Sequence, residues 1–400
     1  MSLAAGRPYL AIPGPSVIPD RVLRAMHRGS PNIYGGPLLE LVAGLWPDLR
    51  QLAGTLGHVA MYIGNGHAAW EAANANIFSR GEKALVLAMG QFGLSWAGSA
   101  RAMGIEVEVL DFGKSSPADP DRIEAVLRAD AGHRIKAVLT THVDTASSIK
   151  TDIPVLRQAM DAAGHPALLA VDCIASLGCD EFRMDDWGVD VMVAACQKGL
   201  MTPPGLAFVW FSEAARLRCG RTDLATPYWA WGPRVEPDEF WQYWDGTAPT
   251  SHLYGLREAI DMIREEGLSR VWQRHRVLAG AIWAAFDAWG AGNPAIAMNV
   301  ADPAHRGWSV TAARLGSPHA TRLRDWCETK AGVTLGIGLG MAPSTDPAFH
   351  GFLRLGHMGH VNAHMTLGAL AVMEAGLTAL EIPHGPGAIE AAARVVAGGA

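Results

Sequence analysis

Long apolar runs are missing from this 400-residue chain. Its longest, such as 84–89 and 167–171, fall well short of the roughly 20 residues a membrane-spanning helix needs. Positive charge is scarce as well. The 33 lysines and arginines against 39 acids give a net charge of −6, so the chain carries no electrostatic footprint for nucleic acid. Cysteine is sparse and unpaired: five residues, an odd number, with no CxxC spacing. That excludes a disulfide frame and points to reduced thiols and a cytoplasmic location. Each cysteine reads as a small buried hydrophobe. Residues 1–14 lack a basic flank followed by an apolar core, so no signal peptide is expected. Repeats, charge runs and low-complexity linkers are absent.

What is present describes a large globular protein. Hydrophobic residues make up 49% and charged residues 18%, which excludes a disordered or fibrous chain. At roughly 150 residues per domain the length allows two or three domains. Fourteen tryptophans are many. Four of them, Trp229, Trp231, Trp241 and Trp244, cluster and predict an aromatic surface that something must cover.

Residues 1–16 read as an extended arm. Short apolar strands at 58–63, 84–88, 106–110, 137–141, 167–171, 189–194 and 207–211 then alternate with helical stretches. This pattern predicts an α/β fold whose mostly parallel sheet is covered on both faces. Ligands in such sheets bind beyond the carboxyl ends of the strands. A helical pattern runs through 251–289 with little punctuation. Strands at 310–315 and 352–355 and a helix at 364–380 follow. The division expected is a large domain over 17–268 and a smaller α+β domain over 269–400.

Three features carry chemistry. The first is Gly64-Asn65-Gly66-His67-Ala68-Ala69, which follows a strand and opens a helix. Such a turn presents backbone N–H groups and a helix dipole to an anion, most often a phosphate. It also fits the dinucleotide pattern GxGxxG/A, the basis for a nicotinamide-dependent oxidoreductase as an alternative. That reading needs an acid closing the next strand. Here Met89 and Gly90 follow the strand, and Glu82 stands at its other end. A monophosphate site fits better, with a ligand-free tight turn as the plain alternative.

The second feature is Lys198, one of only six lysines. It ends an apolar strand, where desolvation lowers an amine pKa, and such an amine forms a Schiff base with a carbonyl. The third is Asp172, which closes the strand 167–171. Alone, Lys198 could be a solvated strand-end lysine and Asp172 a turn cap. Together with the phosphate turn they suit pyridoxal 5′-phosphate, with the aspartate paired to the protonated pyridine nitrogen.

These residues resemble the class V aminotransferases of fold type I, in particular the alanine–glyoxylate and serine–glyoxylate group. The resemblance runs in family order through Pro13-Gly14-Pro15, Gly64-Asn65-Gly66-His67, Thr141-His142, Val171-Asp172-Cys173, Gln197-Lys198-Gly199, Pro203-Pro204-Gly205 and Arg354-Leu355-Gly356-His357-Met358-Gly359. It implies a fold-type I transferase with a mostly parallel sheet and a smaller α+β C-terminal domain. It implies pyridoxal phosphate held by Lys198 and Asp172, with phosphate and ring-edge contacts from Asn65, Gly66, His67 and Gln197. Phe92 would stack on the ring, Thr145 would sit near the phenolic oxygen, and Arg354 would hold the substrate carboxylate. Trp244 and Thr247 match a segment that reaches the phosphate of a neighbouring subunit, which implies a homodimer. The implied reaction transfers an amino group between serine, alanine or aspartate and glyoxylate or a similar 2-oxo acid.

Some positions depart from the family pattern. Trp244 stands where relatives carry a tyrosine, and Ala146 replaces a usual hydroxyl. The stretch Gly29-Ser30-Pro31-Asn32-Ile33-Tyr34 also differs, in a region that closes the site. Arg28 and Arg234 are possible second arginines. A lyase or desulfurase of the same fold is a further alternative and would need a reactive thiol, for which Cys327 is the candidate.

Overall fold

A computed structural model describes residues 2–399. The chain opens with a short strand, β1 (Tyr9–Ala11), and continues through β2 (His58–Gly64), β3 (Lys83–Ala88), β4 (Glu106–Asp111), β5 (Ile135–Thr141), β6 (Leu168–Asp172), β7 (Val191–Ala195) and β8 (Gly205–Phe211). Strands β2 to β8 form one sheet in the order β2-β8-β7-β6-β5-β3-β4. All neighbours run parallel except β8, which is antiparallel to both β7 and β2.

The expected near-continuous apolar strands are explained by burial on both faces. Every residue of β6 and β7 is buried. Side chains alternate between two cores, as the period of two requires. Leu85, Leu87, Val138, Leu169 and Met192 face one core, which holds the helices Pro37–Ala53 and Thr250–Glu266. Ala84, Val86, Ala137, Leu139 and Ala170 face the other. The second face is lined by small residues, and the indoles of Trp70 and Trp96 dock there from helices Gly66–Ile77 and Gln91–Ala102. Edge strand β4 instead carries Glu106 and Glu108, which suits an edge that meets water.

The strand order reverses direction beside β3. The loops after β3 and β5 therefore diverge and leave a crevice at the carboxyl ends of the strands. Four further strands, β9 (Ala297–Met298), β10 (Val310–Arg314), β11 (Val333–Ile337) and β12 (Phe352–Gly356), form a second sheet with β1, in the order β1-β11-β12-β10-β9. The N-terminal arm thus contributes a strand, pairing Tyr9 with Val333 in parallel.

The helical pattern predicted through 251–289 is two helices, Thr250–Glu266 and Leu268–Gly292. Gly267 separates them with φ +86°, a conformation that an L side chain resists. The predicted aromatic surface is also corrected. Trp231 stacks on Phe211 at 4.0 Å, and Trp244 packs edge-on against Phe240 at 5.0 Å, both buried. Of the four, Trp241 alone is exposed, at 50%. Among the described residues, no helix is long and apolar enough to cross a membrane.

Candidate active site

The crevice holds a cavity of about 310 Å³. Asn65, Gly66 and His67 reach it from the end of β2, Phe92 from the first turn of the helix Gln91–Ala102 that follows β3, and Val143 and Thr145 from the loop after β5. Asp172 closes β6, and Gln197 and Lys198 follow β7. Eight of the sequence-predicted site residues therefore line one space, although up to 133 positions separate them in the chain.

Local structure sets each position. Asn65 caps the helix Gly66–Ile77, its Oδ1 accepting from the His67 N–H at 3.0 Å. The first turn of that helix faces the cavity. A Cβ on Gly66 would press on Ile174 Cδ1, so glycine lets the turn approach the loop after Asp172 without displacing that side chain. Across the cavity, the arm segment Pro13–Ser16 crosses the end of β7. Ser16 N–H donates to the Gln197 carbonyl at 2.9 Å, and its hydroxyl donates to the Lys198 carbonyl at 2.7 Å. The Lys198 Nζ donates to the Pro13 carbonyl. Gly14 leaves room for that amine, because a Cβ there would collide with Nζ.

Burial and neighbouring charge tune the ionisable groups. Burial lowers the Lys198 pKa to about 8, the Arg354 guanidinium adds to this, and Asp172 and Cys179 oppose it. Burial raises Asp172 to about 7, against hydrogen bonds from Ile174 N–H at 2.7 Å and Trp70 Nε1–H at 2.9 Å. An amine poised near neutrality beside a buried carboxylate is the arrangement proton-transfer chemistry uses.

Arg354 lies on β12, behind the cavity wall and 7% exposed. Its Nε donates to the Ile337 carbonyl at 2.7 Å and its Nη1 to the Thr145 carbonyl at 3.0 Å. Burial brings its pKa down to about 10. Neither Trp244 nor Thr247 lines the cavity of its own chain. Trp244 is 1% exposed and held among Phe240 and Tyr243, so its indole is not offered at the surface. In this chain its indole N–H has no hydrogen-bond partner. Thr247 is exposed.

Arg234 is buried and spent on the carbonyls of Met61, Tyr228 and Tyr243. Arg28 rests over the Tyr254 ring at 4.8 Å. Neither lines the cavity. Cys327 is buried and its thiol is pushed up to about 12 by burial, which removes the thiolate that a desulfurase would need.

Two residues escape the sequence reading. Asp144 is fully buried, and its oxygens accept from the N–H groups of Phe92 at 2.8 Å and Ala146 at 2.9 Å. It ties the loop after β3 to the loop after β5. Trp70, one turn beyond His67, touches Asp172. Its spacing of three from His67 on the same helix is the signal that could have found it. Asp144 lies within the Thr141–Ser147 run but offers no comparable pattern.

The residues fit pyridoxal phosphate. The amine and the carboxylate face one cavity, and a helix start faces the same space. The side chain of Gln197 lines the same cavity, and its amide NH2 can donate to a phosphate oxygen.

The two sheets, and a lysine and aspartate at the ends of adjacent strands, are the build of a fold-type I transferase. The family model for aminotransferase class-V matches residues 61–363, and the chain belongs to that family and is an aminotransferase. It is 37% identical to a serine–glyoxylate aminotransferase of Methylorubrum extorquens, with 97% of this chain and 95% of that protein covered. It is 34% identical to an L-aspartate–glyoxylate aminotransferase of Paracoccus denitrificans, covering 96% and 94%. In fold it matches the ureidoglycine–glyoxylate aminotransferase of Bacillus subtilis with a TM-score of 0.86 at 23% identity, covering 99% of both chains.

Proposed function

We propose that this aminotransferase uses pyridoxal phosphate to move an amino group from a small amino acid, serine, alanine or aspartate, to glyoxylate or a similar 2-oxo acid. Relatives named for serine and aspartate with glyoxylate support that substrate range. The observation that carries the reading is Lys198 itself. Its amine has a pKa lowered to about 8 and shares one cavity with Asp172.

When bound, the cofactor supplies an aldehyde for an amine and a pyridine ring that withdraws electrons from the substrate Cα. In this reading Asp172 holds the ring nitrogen in its protonated state. Asn65, Gly66, His67 and Gln197 take the phosphate side. Phe92 covers one ring face, and Thr145 lies by the phenolic oxygen. Lys198 would be the covalent anchor, and its free Nζ would carry a proton between the substrate Cα and the cofactor C4′. Arg354 orients the substrate carboxylate through its guanidinium fork. One such clamp suits small substrates.

Thr247, on an exposed segment, would serve the site of a second protomer in a homodimer. Residues 17–268 and 269–400 would act as large and small domains, with the arm 1–16 bridging them. Reduced thiols support a cytoplasmic location.

Spectroscopy tests the reading. The protein supplied with pyridoxal phosphate should absorb in the near-visible, and borohydride should fix the label on Lys198. Serine, alanine or aspartate should convert the cofactor to its amine form, and glyoxylate should reverse the change. A protein that none of these amino acids converts would overturn the assignment.

A further inference from the structure

Asp172 receives two hydrogen bonds of different origin. Oδ1 accepts from Ile174 N–H, a turn contact two residues away. Oδ2 accepts from Trp70 Nε1–H, on a helix 102 positions earlier in the chain. Both Trp70 and Asp172 are buried. An indole nitrogen only donates, so this contact suits a carboxylate oxygen that carries charge.

The indole is itself held rigid. Trp70 stacks on Trp96 with centroids 6.0 Å apart and planes 9° from parallel. His67 meets its face edge-on at 4.6 Å. Trp96 is anchored in turn, its Nε1–H donating to Asn74 Oδ1 at 3.1 Å. The two indoles thus share one apolar face built of alanines, yet only Trp70 touches the carboxylate.

We propose that Trp70 is a positioning residue that fixes the plane of the Asp172 carboxylate through its indole N–H, so that the carboxylate is already aimed at the pyridine nitrogen when the cofactor arrives. This rests on the reading that Asp172 faces that nitrogen. Removing the N–H leaves Asp172 held by Ile174 N–H alone, its second oxygen no longer fixed and less able to hold charge. Hydrogen bonds to charged groups are worth about tenfold to a hundredfold in an equilibrium.

The test compares two ligands: pyridoxal phosphate and its analogue with carbon in place of the ring nitrogen. Trp70→Phe should weaken binding of pyridoxal phosphate about tenfold or more, measured by absorbance titration, and change the analogue's affinity less than twofold. Trp96→Phe removes a comparable ring and a buried hydrogen bond without touching Asp172. It should affect both ligands equally. If Trp70→Phe fails to fold, benzothienylalanine at position 70 keeps the ring volume and drops only the N–H, and the same selective loss is expected. Equal losses for the two ligands in the Trp70 variants, or no loss in either, would reduce Trp70 to packing and overturn the proposal. Equal affinity of the unaltered protein for both ligands would instead detach Asp172 from the ring nitrogen, and the proposal would fall together with the earlier reading.

Discussion

Lys198 holds its amine in a place that penalises the charge, so the cofactor-free protein should gain stability when that charge is removed. Burial, reinforced by Arg354, takes the pKa from 10.5 to about 8 despite the pull of Asp172 and Cys179. A fall of that size corresponds to about 3 kcal/mol of destabilisation below pH 8. The side chain keeps some contact with cavity water, which reduces the penalty to roughly half. Lys198→Met keeps the stem and drops the charge, but strands the Pro13 carbonyl that Nζ serves, at about 1 kcal/mol. The net expectation is a gain of roughly 0.5 kcal/mol at pH 7.

The sign has a pH signature. Between about pH 8 and 10.5 the unfolded lysine still binds its proton while the folded one has lost it. The unaltered protein therefore gains stability as pH rises through that window, whereas the methionine variant does not. Its advantage should shrink and then reverse, because the stranded carbonyl remains. Urea denaturation of both cofactor-free proteins from pH 7 to about 9.5 measures this. An advantage independent of pH, or a variant less stable at pH 7, would refute the reasoning.

Three other substitutions probe the site. Arg354→Lys cannot hold the Ile337 and Thr145 carbonyls and also pair with a carboxylate through two nitrogens, so steady-state kinetics should show KM for the amino donor rising about a hundredfold, with a smaller change in kcat. Asp172 is raised to about 7 by burial, so cofactor affinity of the unaltered protein should weaken as pH falls through about 7. Asp172→Asn should bind the cofactor about tenfold or more weakly at pH 8 and lack that acid limb in absorbance titrations. Gly90→Ala would drive a methyl into the Asp144 carboxyl group, which four N–H groups hold in place. It should cost about 1–3 kcal/mol in chemical denaturation.

Much of this architecture was legible because burial on both faces leaves a plain mark. Strands β6 and β7 are runs of apolar residues, and the groups that end them, Asp172 and the Lys198 turn, stand out as the polar exceptions. Gly267 was not legible as a break, since apolar residues continue on both sides and only its positive φ separates the helices. The tryptophan cluster misled for a different reason. Composition cannot tell an aromatic that faces outward from one that is buried; Trp231 fills the alanine-lined face and Trp244 packs among Phe240 and Tyr243. Trp70 and Asp144 act through contacts between segments far apart in sequence, and neither carries a local pattern that marks its partner.

The charges around the cavity explain why the phosphate side can be built from uncharged groups. Lys198 and Arg354 stand against Asp172 and Asp144, two cations and two carboxylates, all deep in the structure. Asp144 is fully committed to backbone N–H groups at the start of the helix Gln91–Ala102, where a helix dipole also favours an anion. Its charge still tempers Arg354 and raises Asp172. Lys198 is the sole lysine or arginine among the cavity-lining residues, and it hangs on the Pro13 carbonyl at the arm. In the proposed reading, a phosphate at the Asn65–His67 turn would be met on this chain by N–H dipoles of the helix start and by neutral donors such as the Gln197 amide NH2. That division has a chemical consequence. In the proposed reading, point charges would be kept for the groups that change protonation or grip a carboxylate, and the phosphate would be anchored by backbone geometry that proton transfer at Lys198 does not disturb.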